Sequence, residues 1–166
     1  MKDTFTFNLE ESMDNLYKGG AFLTASKDGK VNTMTISWGS VGYMFRKPVF
    51  MALVRDSRYT NEFLKDGEEF TISIPKEEDN LKKALSICGT ISGRDNDKES
   101  KANIKFRKSK KTDTPVVEGC SKYYECKIIF KSVVDLENLD KEIKEAIYKG
   151  ETKGHNLYFG EIIETY

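Results

Sequence analysis

The chain has 166 residues, 38% hydrophobic and 33% charged, with 27 basic and 27 acidic residues and a net charge of zero. That length suits one domain, residues 1–166, with a core large enough to need neither metal nor disulfide. The charge balance removes the electrostatic drive toward nucleic acid or an anionic membrane, so neither is expected as a partner, though a local basic pocket for one phosphate is still allowed. No apolar run approaches the roughly eighteen residues of a membrane helix. The start, Met1 to Phe5, lacks the apolar core of a signal peptide, so a cytoplasmic protein is expected. Cys88, Cys120 and Cys126 are odd in number and form no CxxC pair, which argues against a disulfide framework. With His155 as the one histidine, no zinc site is expected and a His-dependent nucleophilic triad is disfavoured.

The first half reads mostly as strands. Ala21 to Ala25 is a short one, and Lys27-Asp28-Gly29-Lys30 is a hairpin signal. Val31 to Trp38 then alternates, with Thr33, Thr35 and Ser37 on one side and Met34, Ile36 and Trp38 on the other. Gly39 and Gly42 allow a bend or bulge. Val49 to Val54 is a continuous apolar run, the pattern of a strand buried on both faces. A short helix follows, capped by Ser57 or Thr60, with Phe63 and Leu64 inward and Gly67 at its end.

Phe70 to Ile74 alternates as a strand and stops at Pro75. Asp79 to Cys88 carries Leu81, Ala84, Leu85 and Cys88 on one helical stripe. Gly93 to Thr114 is polar and reads as an extended loop with a short helix. A long strand is expected over Tyr123–Val134, a helix between Asp140 and Lys149, and a last strand over Asn156–Ile163. Many strands with few helices point to a mainly β fold, an antiparallel barrel with a few helices. Regular strand–helix alternation is missing, and so are GxGxxG and GxxxxGK[ST], which disfavours a Rossmann or P-loop nucleotide site.

The run Asn32-Thr33-Met34-Thr35-Ile36-Ser37-Trp38-Gly39 resembles the flavoredoxin branch of the flavin reductase-like, FMN-binding split-barrel family. Four further segments stand in the matching order: Arg55 to Thr60, Phe70 to Pro75, Cys88 to Lys98, and Gly154 to Ile162. The resemblance implies a Greek-key antiparallel split barrel. It implies a homodimer with FMN held non-covalently near the subunit interface, and reduced flavin as the working species.

The residues supply chemistry that suits such a cofactor. Arg58 and Thr60 stand at a strand-to-helix junction, where free backbone N–H groups favour an anion and arginine can engage two phosphate oxygens. Arg55, one turn away, and Tyr59 belong to the same segment. The same residues also read as an ordinary capped helix with solvated arginines. Thr33, Thr35 and Ser37 form a hydroxyl face suited to a ribityl chain and phosphate, or else a solvated strand face. Asn32 could bond the flavin edge or serve as a turn residue, and Met34 and Trp38 also read as plain core. Family membership suggests that Trp38 lies close to the flavin. By resemblance Lys98 reaches the flavin or its substrate, its alternative being a solvated loop lysine. His155 is the candidate catalytic group by the same resemblance, with a naturally near-neutral pKa, its alternative being a surface loop residue.

The expected function is therefore an oxidoreductase that passes electrons from NADH or NADPH, through FMN, to a small-molecule or protein acceptor. The rivals are a non-enzymatic FMN electron carrier reduced by a protein partner and a ligand-binding barrel without flavin. A relative of pyridoxamine phosphate oxidase would share the architecture but not these motifs.

Overall fold

The structure, a computed structural model, describes residues 4–166; Met1, Lys2 and Asp3, part of the polar start noted above, lie outside the described residues. Its main sheet has seven antiparallel strands: β1 (Ala21–Lys27), β2 (Lys30–Ile36), β3 (Gly39–Met44), β4 (Lys47–Val54), β5 (Glu69–Ile74), β8 (Lys122–Val133) and β9 (Asn156–Thr165). Two-residue strands β6 (Phe106–Arg107) and β7 (Val116–Val117) pair apart from it. The sheet order is β2-β1-β5-β8-β9-β4-β3, so β2 and β3, consecutive in the chain, form opposite edges. Only Ser37 and Trp38 separate them. The sheet must therefore curl until its edges meet, without the hydrogen bonding that would close it, and this is a split barrel. At the seam the Leu53 N–H donates to the Trp38 carbonyl at 3.4 Å.

Local chemistry explains most elements. Asp28 and Gly29 take φ of 51° and 74° between paired Lys27 and Lys30, as a tight hairpin turn requires. Phe50, Ala52 and Val54 of β4 enter a core shared with Leu23, Phe70, Ile72 and Tyr124. Gly160 faces Phe50 across the β4–β9 pair, and a Cβ there would lie 2.6 Å from both Cys126 Cβ and Phe70 Cζ. Five helices dress the sheet: α1 (Leu9–Gly19), α2 (Tyr59–Asp66), α3 (Lys82–Thr90), α4 (Lys98–Ala102) and α5 (Lys141–Tyr148). Asp140 caps α5, accepting from the N–H groups of Glu142 and Ile143.

Several expectations are corrected. β4 is not buried on both faces, since Met51 and Leu53 are only half-buried and lie opposite Phe159 and Leu157 of β9. An apolar run there means two apolar faces, one of them outward. Gly39 and Gly42 form no bulge but pair regularly with Ala52 and Val49; the register shifts occur in β8–β9. Gly39 is needed for close approach, as a Cβ would sit 2.8 Å from the Met51 carbonyl oxygen. Asp79 belongs to a 3-10 turn ahead of α3, and α1 is an element beyond those expected. No described helix is long and apolar enough to cross a membrane.

A cationic cleft at the barrel seam

Three adjoining cavities open where the sheet edges meet. One of about 300 Å³ lies between Asn32 and Met34 of β2, the start of α2, and the segment Thr90–Arg94 with Lys98. A second, about 240 Å³, runs along Met34–Trp38 to Leu53 and His155. The third, about 450 Å³, lies between Arg55–Ser57 and Gly150–His155. Arg55 borders all three, Met34 and Arg58 the first two, and His155 the last two. Through these shared residues they lie side by side along the seam, as a cleft.

The cleft gathers every site residue expected from the sequence except Thr33. Asn32, Met34, Arg55, Arg58, Tyr59, Thr60 and Lys98 border the first cavity; Thr35, Ser37, Trp38 and His155 border the second. Thr33 lies outside it. Fully buried, its hydroxyl donates to the Leu23 carbonyl at 3.2 Å and accepts from Thr24 Oγ1 at 3.0 Å. Thr35 borders the cleft, yet its hydroxyl donates to the Leu85 carbonyl of α3 at 2.5 Å. Two of the three hydroxyls of the expected polar face thus have protein partners. Alternation on β2 is as read, but the residues turned to the first cavity are Asn32 and Met34.

Asn32 Nδ2 donates to Thr60 Oγ1 at 2.7 Å, tying β2 to the first turn of α2. The helix begins after Arg58 with no side-chain cap, so its first N–H groups receive no hydroxyl or carboxylate from that residue. Ser57 and Thr60 do not serve as the expected cap at that position. The residues bordering the first cavity include Arg55, Arg58, Arg94 and Lys98 and no carboxylate. Arg94 is ion-paired with Glu62, and Arg55 with Glu151. Arg58 Nη1 donates to the Gly89 carbonyl at 2.8 Å. Lys98, only 8% exposed, donates from Nζ to the carbonyls of Thr33 and Cys88 at 2.7 and 3.0 Å. Burial pulls the Lys98 pKa below its ordinary value and Arg58 adds to this, while Cys88 opposes it. Lys98 and Arg58 thus bring two basic side chains to one cavity bordered by no carboxylate. Lys98 is therefore no solvated loop lysine.

His155 is buried at 6% exposure, so it is not a surface loop residue. Its Nδ1 lies 2.6 Å from the Tyr148 hydroxyl, which leaves Nε2 for the cleft. Its ring lies 5.0 Å from that of Trp38, itself 42% exposed rather than core. Burial depresses the His155 pKa first, with Arg55 and Arg58 adding to this and Glu151 opposing it. That direction favours the uncharged imidazole. Among the described residues no group of three or more His, Cys, Asp or Glu side chains could hold a metal.

Sequence reading missed three parts of this site. Tyr148 carried no signal beyond being the last apolar residue of α5. The Ser92–Arg94 roof lay inside a recognised motif with no role assigned. Leu53 looked like core.

An antiparallel split barrel with a cationic, aromatic-edged cleft at its seam defines a class, the small barrels with a ligand-sized cleft at an open edge. The chain belongs to the flavin reductase like domain family, whose sequence profile matches residues 13–166. The solved structures of flavoredoxins from Methanosarcina acetivorans and Desulfovibrio vulgaris superpose with TM-scores of 0.67 and 0.68 at 22% and 21% identity. Each alignment covers 89% of this chain, and 67% and 69% of theirs respectively. An NADH:FAD oxidoreductase of Streptomyces globisporus, solved with NAD and FAD fragments, superposes at 0.66 with 14% identity over 100% of this chain and 85% of its own. An uncharacterised protein of Archaeoglobus fulgidus is 29% identical over 151 residues, covering 91% of this chain and 73% of that protein.

Proposed function

We propose that this chain is a single-domain FMN-binding oxidoreductase of the flavoredoxin type, which takes electrons from a reduced nicotinamide and delivers them to a small-molecule or protein acceptor. The observation that carries this reading is the buried Lys98 ammonium beside Arg58 in a cavity bordered by no carboxylate. That end fits a phosphate monoester: two cations, the Thr60 hydroxyl and the open start of α2 converge on it. Met34, Trp38 and Leu53 line the neighbouring cavity and supply an apolar slot for a planar ring.

Bound flavin would supply the electron-accepting and electron-donating chemistry. The chain's own residues bind and orient. Lys98 and Arg58 fix the phosphate, Asn32 and Thr60 hold β2 and α2 in register, and Trp38 borders the ring slot. The neutral His155 offers Nε2 as a polar contact for the ring edge or for a substrate, with no charge to desolvate. No further acid or base is required for hydride transfer. The proposed homodimer is supported by the outward apolar face of Met51, Leu53, Leu157, Phe159 and Phe130, since Leu53 also lines the cleft.

Anaerobic addition of NADH and then NADPH to the FMN-loaded protein tests the reading. Bleaching of the flavin bands by one of them is expected. Bleaching by dithionite or a partner reductase alone would replace the reductase with an electron carrier. Failure to bind FMN would overturn both.

A further inference from the structure

The phosphate end of the cleft is closed by three contacts that the function described so far does not use. Helix α3 ends at Thr90, and the following residues fold back over Asn32 and Tyr59. At Gly93 a Cβ would lie 2.0 Å from Asn32 Oδ1 and 3.3 Å from Tyr59 Cδ1, so the backbone is seated there with no space beneath it. Arg94 then lies with its guanidinium carbon 5.1 Å from the centre of the Tyr59 ring. Its far end is ion-paired with Glu62, one turn along α2 from Arg58. The Tyr59 ring is in turn braced edge-on by Phe63 at 4.9 Å. Beyond this bridge lies a separate cavity of about 210 Å³, bordered by Tyr59, Glu62, Phe63, Lys27, Asp28 and Lys30.

We propose that Arg94, Glu62 and Tyr59 form a gate that makes the cleft select a flavin mononucleotide over a flavin dinucleotide. The inference rests on the reading of the cleft as a flavin site. A terminal phosphate ends at Arg58 and Lys98 and needs nothing past the gate. A dinucleotide carries a second phosphate and an adenosine from the same point. To continue in that direction it must lift Arg94 off both Tyr59 and Glu62. It also brings a new negative charge toward the Glu62 carboxylate, whose cation it has just displaced. A clash or an unpaired charge built against the competitor is one way a site discriminates between two ligands.

The test is a pair of binding titrations on the flavin-stripped full chain, with FMN and with FAD, followed by flavin fluorescence. The parent is expected to bind FMN at least tenfold more tightly than FAD, about 1.4 kcal/mol. In the double variant Arg94→Ala/Glu62→Ala the ratio is expected to fall below threefold, through a gain for FAD relative to FMN, whatever the absolute affinity for FMN becomes. Both positions are half-exposed on the surface, and thermal unfolding of the variant checks that the fold is kept. Equal binding of both flavins by the parent, or an unchanged ratio in the folded variant, overturns the gate and leaves the flavin site standing. Binding of neither flavin by the parent overturns the functional reading and the gate together.

Discussion

The Tyr148 hydroxyl and His155 Nδ1 lie 2.6 Å apart, with the two rings edge to face at 5.4 Å. The pair joins the last turn of α5 to the first residues before β9 and turns Nε2 toward the cleft. Tyr148→Phe keeps the ring and removes the hydrogen bond. The expected cost is about 0.5–1.5 kcal/mol of stability. The ring nitrogens of His155, the one histidine in the chain, should also change their tautomer balance. Nitrogen-15 NMR shifts that are the same in parent and variant would show that Tyr148 does not set the imidazole.

The depressed His155 pKa fixes the sign of a pH effect. A histidine whose folded pKa lies below its unfolded value of about 6.5 takes up its proton more readily when unfolded. Stability from this group is therefore complete above that pH and is lost as pH falls toward the folded pKa. Thermal midpoints should decline from pH 7.5 to pH 5.5, and the decline should shrink in His155→Gln. An equal decline in both proteins would assign it to other groups.

Gly160→Ala tests the barrel interior. The added methyl would meet Cys126 and Phe70 at 2.6 Å, and neither belongs to a flexible surface side chain. Overpacking of this kind costs about 1–3 kcal/mol. A lowering of the midpoint by several degrees is expected by calorimetry, whereas an unchanged midpoint would mean that the β8–β9 packing is looser than described.

Glu125 of β8 is fully buried. Its carboxylate accepts from the backbone N–H groups of Lys110, Lys111 and Thr112 and from the Tyr166 hydroxyl. Glu125→Ala would strand the buried Thr112 N–H, at about 1–3 kcal/mol, and leave the part-buried donors of Lys110, Lys111 and Tyr166 without this acceptor. Hydrogen exchange of residues 109–114 should rise sharply in that variant, with the cleft residues less affected. Unchanged protection of those amides would show that the loop is held by other contacts.

What could be read in advance was set by local chemistry. The Asp28-Gly29 turn, the Ala84, Leu85 and Cys88 stripe and the helix between Asp140 and Lys149 depend on neighbours within a few positions, and each stands where expected. The partners of the β2 hydroxyls are not legible in the sequence, because period-two alternation separates two faces without saying what each one meets. The partners of Thr33 come from β1 and that of Thr35 from α3, fifty residues along the chain. Helix α1 leaves little trace in the sequence because its buried stripe is thin, Leu16 and Ser12 with Met13 half-buried. Lys98 was recognisable only through its motif. Its burial depends on α4 packing against α3, which no local pattern announces.

Arg58 and Lys98 are proposed to make the first cavity a phosphate site for FMN. Titration of FMN into the stripped parent, Arg58→Ala and Lys98→Met measures this directly. Saturable binding of one FMN per chain is expected in the parent, with each variant weakened by about 1–3 kcal/mol, tenfold or more in most of that range. An affinity for FMN that is unchanged in both variants, or a parent that binds no FMN, would contradict the account.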